Sequence, residues 1–183
     1  MTTVFIGGSR AVAKLNALIR TRLEDLIQKA CRILIGDANG ADRTVQQFLA
    51  DRGYSKVTVF CMDACRNNIG SWEVHKIHAD SSRKDFAYYA AKDIAMAREA
   101  KCGVMLWDGR SKGTLHNVLN LIGAGKKVLV YFSPQKAFYK LSTPHDLDSL
   151  LALCDRREIE RLQSSLPTLT PHTAAQLPLH FHR

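Results

Sequence analysis

The repeated alternation of a short apolar run and a segment of helical periodicity limits the fold of this sequence more than any other feature. Five apolar runs, rich in β-branched and aromatic residues, occupy residues 3–6, 32–36, 56–60, 102–107 and 126–132. Four segments with apolar residues at helical spacing separate these runs. Because parallel strands need a helix-length connection, the sequence predicts an α/β protein with a mainly parallel five-stranded sheet and helices on both faces.

Two segments depart from this alternation. Residues 61–83 are rich in Asn, Ser, Gly and charged residues, and we interpret them as a long loop over one end of the sheet. After Pro134 the pattern predicts one amphipathic helix over residues 146–166, with Thr143 or Asp146 near its start. We expect one domain over residues 1–133 and a C-terminal extension over residues 134–183 that ends in a poorly ordered tail.

The charge of the chain narrows the classes of partner. Lys and Arg outnumber Asp and Glu by 26 to 17, which gives a formal net charge of +9. This excess suits a phosphate-bearing partner, either a nucleotide or a nucleic acid. No apolar stretch reaches the roughly 18 residues that a membrane span needs, and the N-terminal residues do not resemble a signal peptide. We expect a cytoplasmic protein that does not bind membranes.

The cysteines and histidines do not form a metal-binding pattern. Among the five cysteines, Cys61 and Cys65 are the only close pair, and no second pair of ligands stands at the spacing of a metal site. Four of the seven histidines lie from His145 onward, mostly in the tail. We interpret the cysteines as buried or idle thiols and expect neither a metal ion nor another cofactor.

Three glycine-bearing turns follow predicted strands and precede predicted helices, so they share the carboxyl edge of the sheet, where ligands of open α/β proteins bind. Glycine lets the backbone approach a ligand, and a helix N-terminus favours a phosphate. Hydroxyls and cations could add contacts to the phosphate, and two carboxylates, Asp37 and Asp42, could face a ribose or a base. The candidate ligand-binding residues are Gly8, Ser9, Arg10, Gly36, Asp37, Gly40, Asp42, Asp108, Gly109, Ser111, Lys112, Gly113 and Thr114.

Each of these turns also has a purely structural interpretation. Glycine is the ordinary residue of a turn between strand and helix, and Asp or Asn is an ordinary helix cap. The turns match neither GxGxxG nor GxxxxGK[ST], which excludes the usual dinucleotide fingerprint and the Walker nucleotide loop. The three turns are therefore more informative together than any one of them alone.

Taken together, the three turns resemble those of the SLOG superfamily, in particular its small bacterial and phage branch related to the YpsA protein. The resemblance covers residues 3–133 and rests on GSR at 8–10, Gly36 with GAD at 40–42, and WDGxSxGT at 107–114. It implies a Rossmann-like three-layer sandwich that binds nucleotides. Relatives in this superfamily include the Lonely Guy phosphoribohydrolases and the DNA processing protein A, which loads single-stranded DNA.

The phosphoribohydrolases resemble this chain in the three turns, but the chain lacks part of their catalytic motifs. Their PGGxGTxxE motif ends in a catalytic Glu, whereas this chain has Asn117 at that position. Their RKxxM helix corresponds to residues 92–96, where Lys92 keeps one cation and the second is lost. A carboxylate stabilises an oxocarbenium-like sugar and an amide does not. The carboxylates available to replace the missing Glu are Asp37, Glu73, Asp85 and Asp108, and Glu73 lies in the long loop beside Trp72 and His75, a segment that could equally pack in the fold. The candidate catalytic residues are Glu73, Lys92 and Asn117.

Three functions stay open on the sequence. The first is the binding of a nucleotide or nucleotide-derived ligand, as a sensor or as a nucleoside 5′-monophosphate N-glycosidase. The second is a module that binds single-stranded nucleic acid, supported by the net charge and by Arg156, Arg157 and Arg161. The third is a structural domain that binds a protein partner. The resemblance also implies a homodimer, because relatives dimerise through helices beside the site.

Overall fold

The structure, a computed structural model, describes residues 1–78 and 84–166. These residues form one seven-stranded sheet with helices on both faces. The strands are β1 (Thr3–Gly8), β2 (Arg32–Gly36), β3 (Val57–Cys61), β4 (Glu73–Lys76), β5 (Cys102–Trp107), β6 (Lys127–Phe132) and β7 (Ala137–Leu141). The helices are α1 (Ala17–Gln28), α2 (Ala41–Ala50), α3 (Phe86–Glu99), α4 (Lys112–Gly123), α5 (Pro144–Leu151) and α6 (Arg156–Ser165).

The strand order creates a switch point in the middle of the sheet. The order is β4-β3-β2-β1-β5-β6-β7, and all neighbouring pairs are parallel except β6 and β7. The chain builds outward from β1 through β2 and β3, and then returns to build the other half from β5. The carboxyl ends of β1 and β5 therefore diverge into turns on opposite sides, which leaves a crevice between them.

Alternating side chains of the strands separate two apolar cores. Val4 and Ile6 of β1 belong to the core beneath α1 and α2, whereas Phe5 belongs to the opposite core beneath α3 and α4. Leu147 and Leu162, from α5 and α6, are buried in this second core. Burial of a side chain of this size stabilises the folded state by about 1.5–3 kcal/mol. The two cores confirm the predicted three-layer α/β sandwich.

The sheet has two strands more than the five predicted. β4 lies within the segment interpreted as a loop, and its four residues are all exposed, so it carries no apolar signal in the sequence. Its backbone pairs with β3, from Thr58 opposite Glu73 to Cys61 opposite Lys76. β7 follows a tight turn at residues 133–136 and pairs antiparallel with β6. The extension that begins at residue 134 thus contributes to the same sheet.

Residues 134–166, the part of the extension that the structure describes, contain two helices where the sequence predicted one. Thr143 caps α5 and forms a capping box with Asp146, which confirms the predicted start of the helix. The helix ends near Leu151, and Asp155 caps a second helix, α6. The predicted disordered tail lies outside the described residues. None of the helices within residues 1–78 and 84–166 has the length and apolar character needed to span a bilayer.

Candidate functional site

A cavity of about 490 Å³ opens at the switch point between β1 and β5. Its volume lies within the range of sites for small molecules. The end of β1, the start of α2, one face of α3 and the first turns of α4 form its wall, with one residue from loop 62–72. The charged residues of the wall are four cations and three carboxylates, namely Arg10, Arg66, Lys92, Lys112, Asp42, Asp93 and Asp108.

The turn at residues 108–114 is held by a compact network of hydrogen bonds. Asp108 Oδ1 accepts hydrogen bonds from the Ser9 hydroxyl at 2.8 Å and from the backbone N–H groups of Arg110 and Ser111 at 3.1 and 2.8 Å. Ser111 caps α4 and accepts hydrogen bonds from the N–H and the hydroxyl of Thr114. Ser9 is fully buried, so its hydroxyl joins two turns and does not face the cavity.

The first turn of α4 presents open backbone to the cavity. Lys112 and Gly113 are its first two residues and both line the cavity. Backbone N–H groups in a first helical turn have no intrahelical acceptors. A Cβ added at Gly113 would meet no atom within 4 Å, so the absence of a side chain here leaves space in the cavity. Gly109, in contrast, has a φ of +77°, a backbone angle that residues with a side chain rarely adopt.

A buried group of charges forms the deep wall of the cavity. Lys92, 4% exposed, bonds Asp93 at 2.6 Å. Asp42 Oδ2 and Lys92 Nζ lie 2.5 and 2.9 Å from the point that a Cβ on Gly36 would occupy. Burial raises the pKa of Asp42 to about 7, although the charge of Lys92 opposes that shift. Burial disfavours the charged form of Lys92, but Asp93 and Asp42 outweigh it and raise its pKa. The absence of a side chain at Gly36 therefore makes room for these charged groups. It does not serve to bring the protein backbone close to a ligand.

The sequence predicted that Asp37 faces the ligand, but the structure does not place its side chain in the cavity wall. Its Oδ2 accepts hydrogen bonds from the backbone N–H and the Nε of Arg66, both at 3.0 Å, and its Oδ1 accepts one from Nη2 at 2.8 Å. Burial opposes ionisation of this carboxyl, yet the Arg66 hydrogen bonds and charge hold its pKa below the usual value. Both oxygens of Asp37 thus fix a cation of the cavity wall, and Asp37 itself is not among the residues that line the cavity.

Two further glycines serve packing. A Cβ on Gly8 would stand 2.6 Å from the Leu106 carbonyl and 2.7 Å from Ala41 Cβ, so Gly8 lets β1 approach β5 and the start of α2. Gly40 has a φ of +80°, and its Cβ would stand 2.2 Å from the Arg10 carbonyl oxygen. These glycines bring the turns 7–10 and 36–42 together, which positions Arg10 at the cavity.

Asn117 carries an unsatisfied polar atom in the cavity wall. The residue lies on α4, is 5% exposed and lines the cavity. Its Oδ1 is buried and has no hydrogen-bond partner among the described residues. A buried acceptor without a donor costs about 1–3 kcal/mol, and a donor on a bound ligand would remove that cost. Asn117, which the resemblance predicted at the position of a catalytic Glu, therefore lines the cavity.

The sequence missed several residues of the wall, among them Arg66, Phe86, Tyr89 and Asp93. Arg66 lies in loop 62–72. Asp37 gave an indirect signal for it, because a carboxylate that directly follows a buried strand needs a cation as its partner. Of the adjacent tyrosines, Tyr88 is buried and donates a hydrogen bond to Asp63, whereas Tyr89 is 36% exposed. Only the helical phase of α3, which the structure defines, distinguishes them.

Glu73 is not among the residues that line the cavity. It is the first residue of the edge strand β4 and pairs with Thr58, near the amino end of β3. The cavity lies at the opposite, carboxyl edge of the sheet. Glu73 is therefore separated from Lys92 and Asn117, which do share the cavity wall.

Cys61 and Cys65 form a disulfide, so the interpretation of these two cysteines as idle thiols was wrong. The backbone folds back after β3 and brings Cys65 to the end of the strand. Both sulfur atoms lie within 4.8 Å of an Asp37 carboxylate oxygen. The disulfide thus closes the chain segment that immediately precedes Arg66.

Comparisons with known proteins support the fold but show no family for this chain. No protein-family model matches the chain, and no curated protein matches it either. A solved structure of DNA processing protein A from Helicobacter pylori is similar, with a TM-score of 0.55 and 12% identity over 91% of this chain and 80% of that chain. The fold resembles that of a DNA processing protein A. That protein binds single-stranded DNA. The similarity shows the fold alone, and the assignment to the SLOG superfamily and its YpsA-related branch stays a prediction.

Proposed function

We propose that the cavity at the switch point binds a nucleoside phosphate. The observation that carries this proposal is the buried, unpartnered Oδ1 of Asn117 in the wall of a cavity with four cations and three carboxylates. The Oδ1 acceptor requires a donor, which the hydroxyls of a ribose supply, and the excess of cations favours an anion. A ligand with both hydroxyls and phosphate matches the two requirements.

The phosphate would bind at the first turn of α4. Gly113 leaves open space beside backbone N–H groups, and Lys112 of the same turn and Arg10 elsewhere in the wall add full charges. The partial positive charge of a helix N-terminus favours phosphate further. Arg66, fixed by Asp37, is a further cation of the wall.

We propose binding without hydrolysis, in the manner of a sensor or a carrier. An amide at position 117 cannot stabilise an oxocarbenium-like sugar as a carboxylate does, and Glu73 lies apart from the cavity. Asp93 is engaged with Lys92, and Asp108 holds the turn 108–114. Asp42 is the remaining carboxylate of the wall, so an N-glycosidase would have to use it.

Calorimetric titration with nucleoside 5′-monophosphates and diphosphates tests the proposal. We expect Asn117→Leu to weaken binding about tenfold, because one hydrogen bond to the ligand is lost. The same variant should unfold at an equal or higher temperature than the wild type, because an unpaired buried acceptor is removed. Asn120→Leu is the matched control, since Asn120 lies on the same helix, outside the cavity, beside His116. No binding of any nucleotide by the wild type would refute the proposal.

Chromatography of the same mixtures distinguishes binding from hydrolysis. Intact nucleotide after long incubation agrees with a sensor or carrier. Release of free base, lost in Asp42→Asn, would show that the chain is an N-glycosidase with a carboxylate at a new position.

The similarity to DNA processing protein A makes single-stranded nucleic acid the second candidate ligand. The basic residues that favoured it in the sequence are partly engaged: Arg156 bonds Glu160, and Arg161 bonds Glu158 and the Arg110 carbonyl. A salt titration separates the candidates. Affinity for an oligonucleotide should fall steeply with salt, because several phosphates release counterions, whereas affinity for one nucleotide should fall much less.

A further inference from the structure

Two aromatic rings are exposed inside the charged cavity. Phe86 is 39% exposed and Tyr89 is 36% exposed, and both line the cavity. They stand three residues apart at the start of α3, so they share one face of the helix. Neither ring is needed to fill the core there, since Tyr88 between them is the buried residue. Exposed aromatic surface within a polar cavity is the surface that a flat apolar ligand group covers.

Each ring lies beside a cation that the proposed function assigns to phosphate binding. Lys112 Nζ is 4.1 Å from the centre of the Phe86 ring, and Arg66 Cζ is 5.3 Å from the centre of the Tyr89 ring. Each cation thus lies over one face of its ring, so aromatic surface and positive charge adjoin in the same wall. A nucleotide joins the matching groups, because one sugar separates its base from its phosphate.

We propose that Phe86 and Tyr89 form the nucleobase subsite of the cavity, so that the ligand is recognised as a nucleotide and not as a sugar phosphate. This inference rests on the proposed function. It adds recognition of the nucleobase, which the cations and Asn117 do not contact in that proposal. Bases stack on aromatic side chains with little preference for sequence, because every base has a π-face. The subsite therefore selects for the presence of a base more than for its identity.

The competing occupant of these rings is a second copy of the chain. An interface between copies would cover Phe86 and Tyr89 with protein, and it would predict sensitivity of the oligomeric state to both residues. The cations beside the rings favour the nucleotide, since a symmetric contact would bring Arg66 and Lys112 of two copies toward one another.

The test compares ligands that differ only in the base. Each of the four nucleoside 5′-monophosphates, and ribose 5-phosphate, is titrated into the wild type, Phe86→Leu and Tyr89→Leu by calorimetry. Phe138→Leu is the matched control, because Phe138 is a partly buried aromatic on β7 with a cation, Arg22, above its ring. Melting temperatures and sedimentation of each variant are recorded in parallel.

We expect the wild type to bind nucleotides about tenfold or more tightly than ribose 5-phosphate. Phe86→Leu and Tyr89→Leu should reduce that ratio severalfold and leave the affinity for ribose 5-phosphate unchanged, whereas Phe138→Leu should leave both values unchanged. Equal affinity of the wild type for both ligands would overturn the subsite while the proposed function stands. A change in oligomeric state without a change in the ratio would also overturn it. If neither ligand binds, the proposed function itself fails.

Discussion

Asp37 and Arg66 form a charged pair in which the carboxylate accepts three hydrogen bonds from one residue, including bonds to Nε and Nη2 at 3.0 and 2.8 Å. The carboxylate is buried at the end of β2, whereas the guanidinium is about one-third exposed, with a side-chain exposure of 38%. Loop 62–72 is thereby fixed to the edge of the sheet beside the cavity. A single pair thus couples the conformation of the loop to the charge of the site.

Asp37→Asn should destabilise the folded state by about 1–3 kcal/mol, because hydrogen bonds to a charged group are lost while Arg66 stays partly solvated. Urea unfolding at pH 7 measures this change. The pKa of Asp37 is lowered in the folded state, so its contribution is present above the unfolded pKa and is lost as the pH falls through the folded value. The difference between wild type and variant should therefore shrink below about pH 4. A difference that stays constant down to pH 3 would contradict this assignment.

Asp42 should make stability fall as the pH rises. Its folded pKa of about 7 exceeds the usual 3.8, so between these values the folded protein keeps a proton that the unfolded chain has released. The groups that face it are Lys92, Asp93 and Asp37. Between pH 5 and pH 8, the free energy of unfolding of the wild type should fall by about 1–3 kcal/mol relative to that of Asp42→Asn. Unfolding curves of both proteins across this range test the prediction, and a pH-independent difference would be evidence against it.

Gly113→Ala should separate binding from stability. Its Cβ would enter open space in the cavity, and Ala is the better helix former by up to about 1 kcal/mol. Melting temperature should stay the same or rise, while affinity for a nucleoside monophosphate should fall about tenfold through steric exclusion. Gly123→Ala is the matched control, since it lies at the other end of α4 and also meets nothing within 4 Å. Equal affinities for the two variants would place the phosphate elsewhere.

The Cys61–Cys65 disulfide should stabilise the loop that carries Arg66. Closing so short a loop contributes about 2 kcal/mol in the chain-entropy model. Cys65→Ala should lower the free energy of unfolding by this amount, and dithiothreitol should produce the same fall in the wild type but none in the variant. Cys154→Ala, which removes a free cysteine, should keep the full response to dithiothreitol. Nucleotide affinity should decrease along with stability in Cys65→Ala, because Arg66 loses part of its support.

The sequence predicted the architecture because the signals for it are local. Apolar runs, helical periodicity and glycine turns each depend on neighbours within a few residues, and their order alone requires a parallel sheet. The start of a helix near Thr143 and Asp146 was visible for the same reason. β4 was missed because its exposed residues carry no period, and its pairing with β3 depends on backbone groups that every residue has.

What the sequence by itself determined is the fold class and the edge of the sheet at which the glycine-bearing turns meet. What only the tertiary structure decided is which of those residues face the cavity. Ser9 and Asp37 form hydrogen bonds within the protein, whereas an oxygen of Asn117 in the wall has no hydrogen-bond partner among the residues that the structure describes. The physical reason is that a polar side chain is free for a ligand only if no protein partner reaches it, and such partners come from distant parts of the chain. Arg66 reaches Asp37 across 29 residues, a distance over which no sequence period extends.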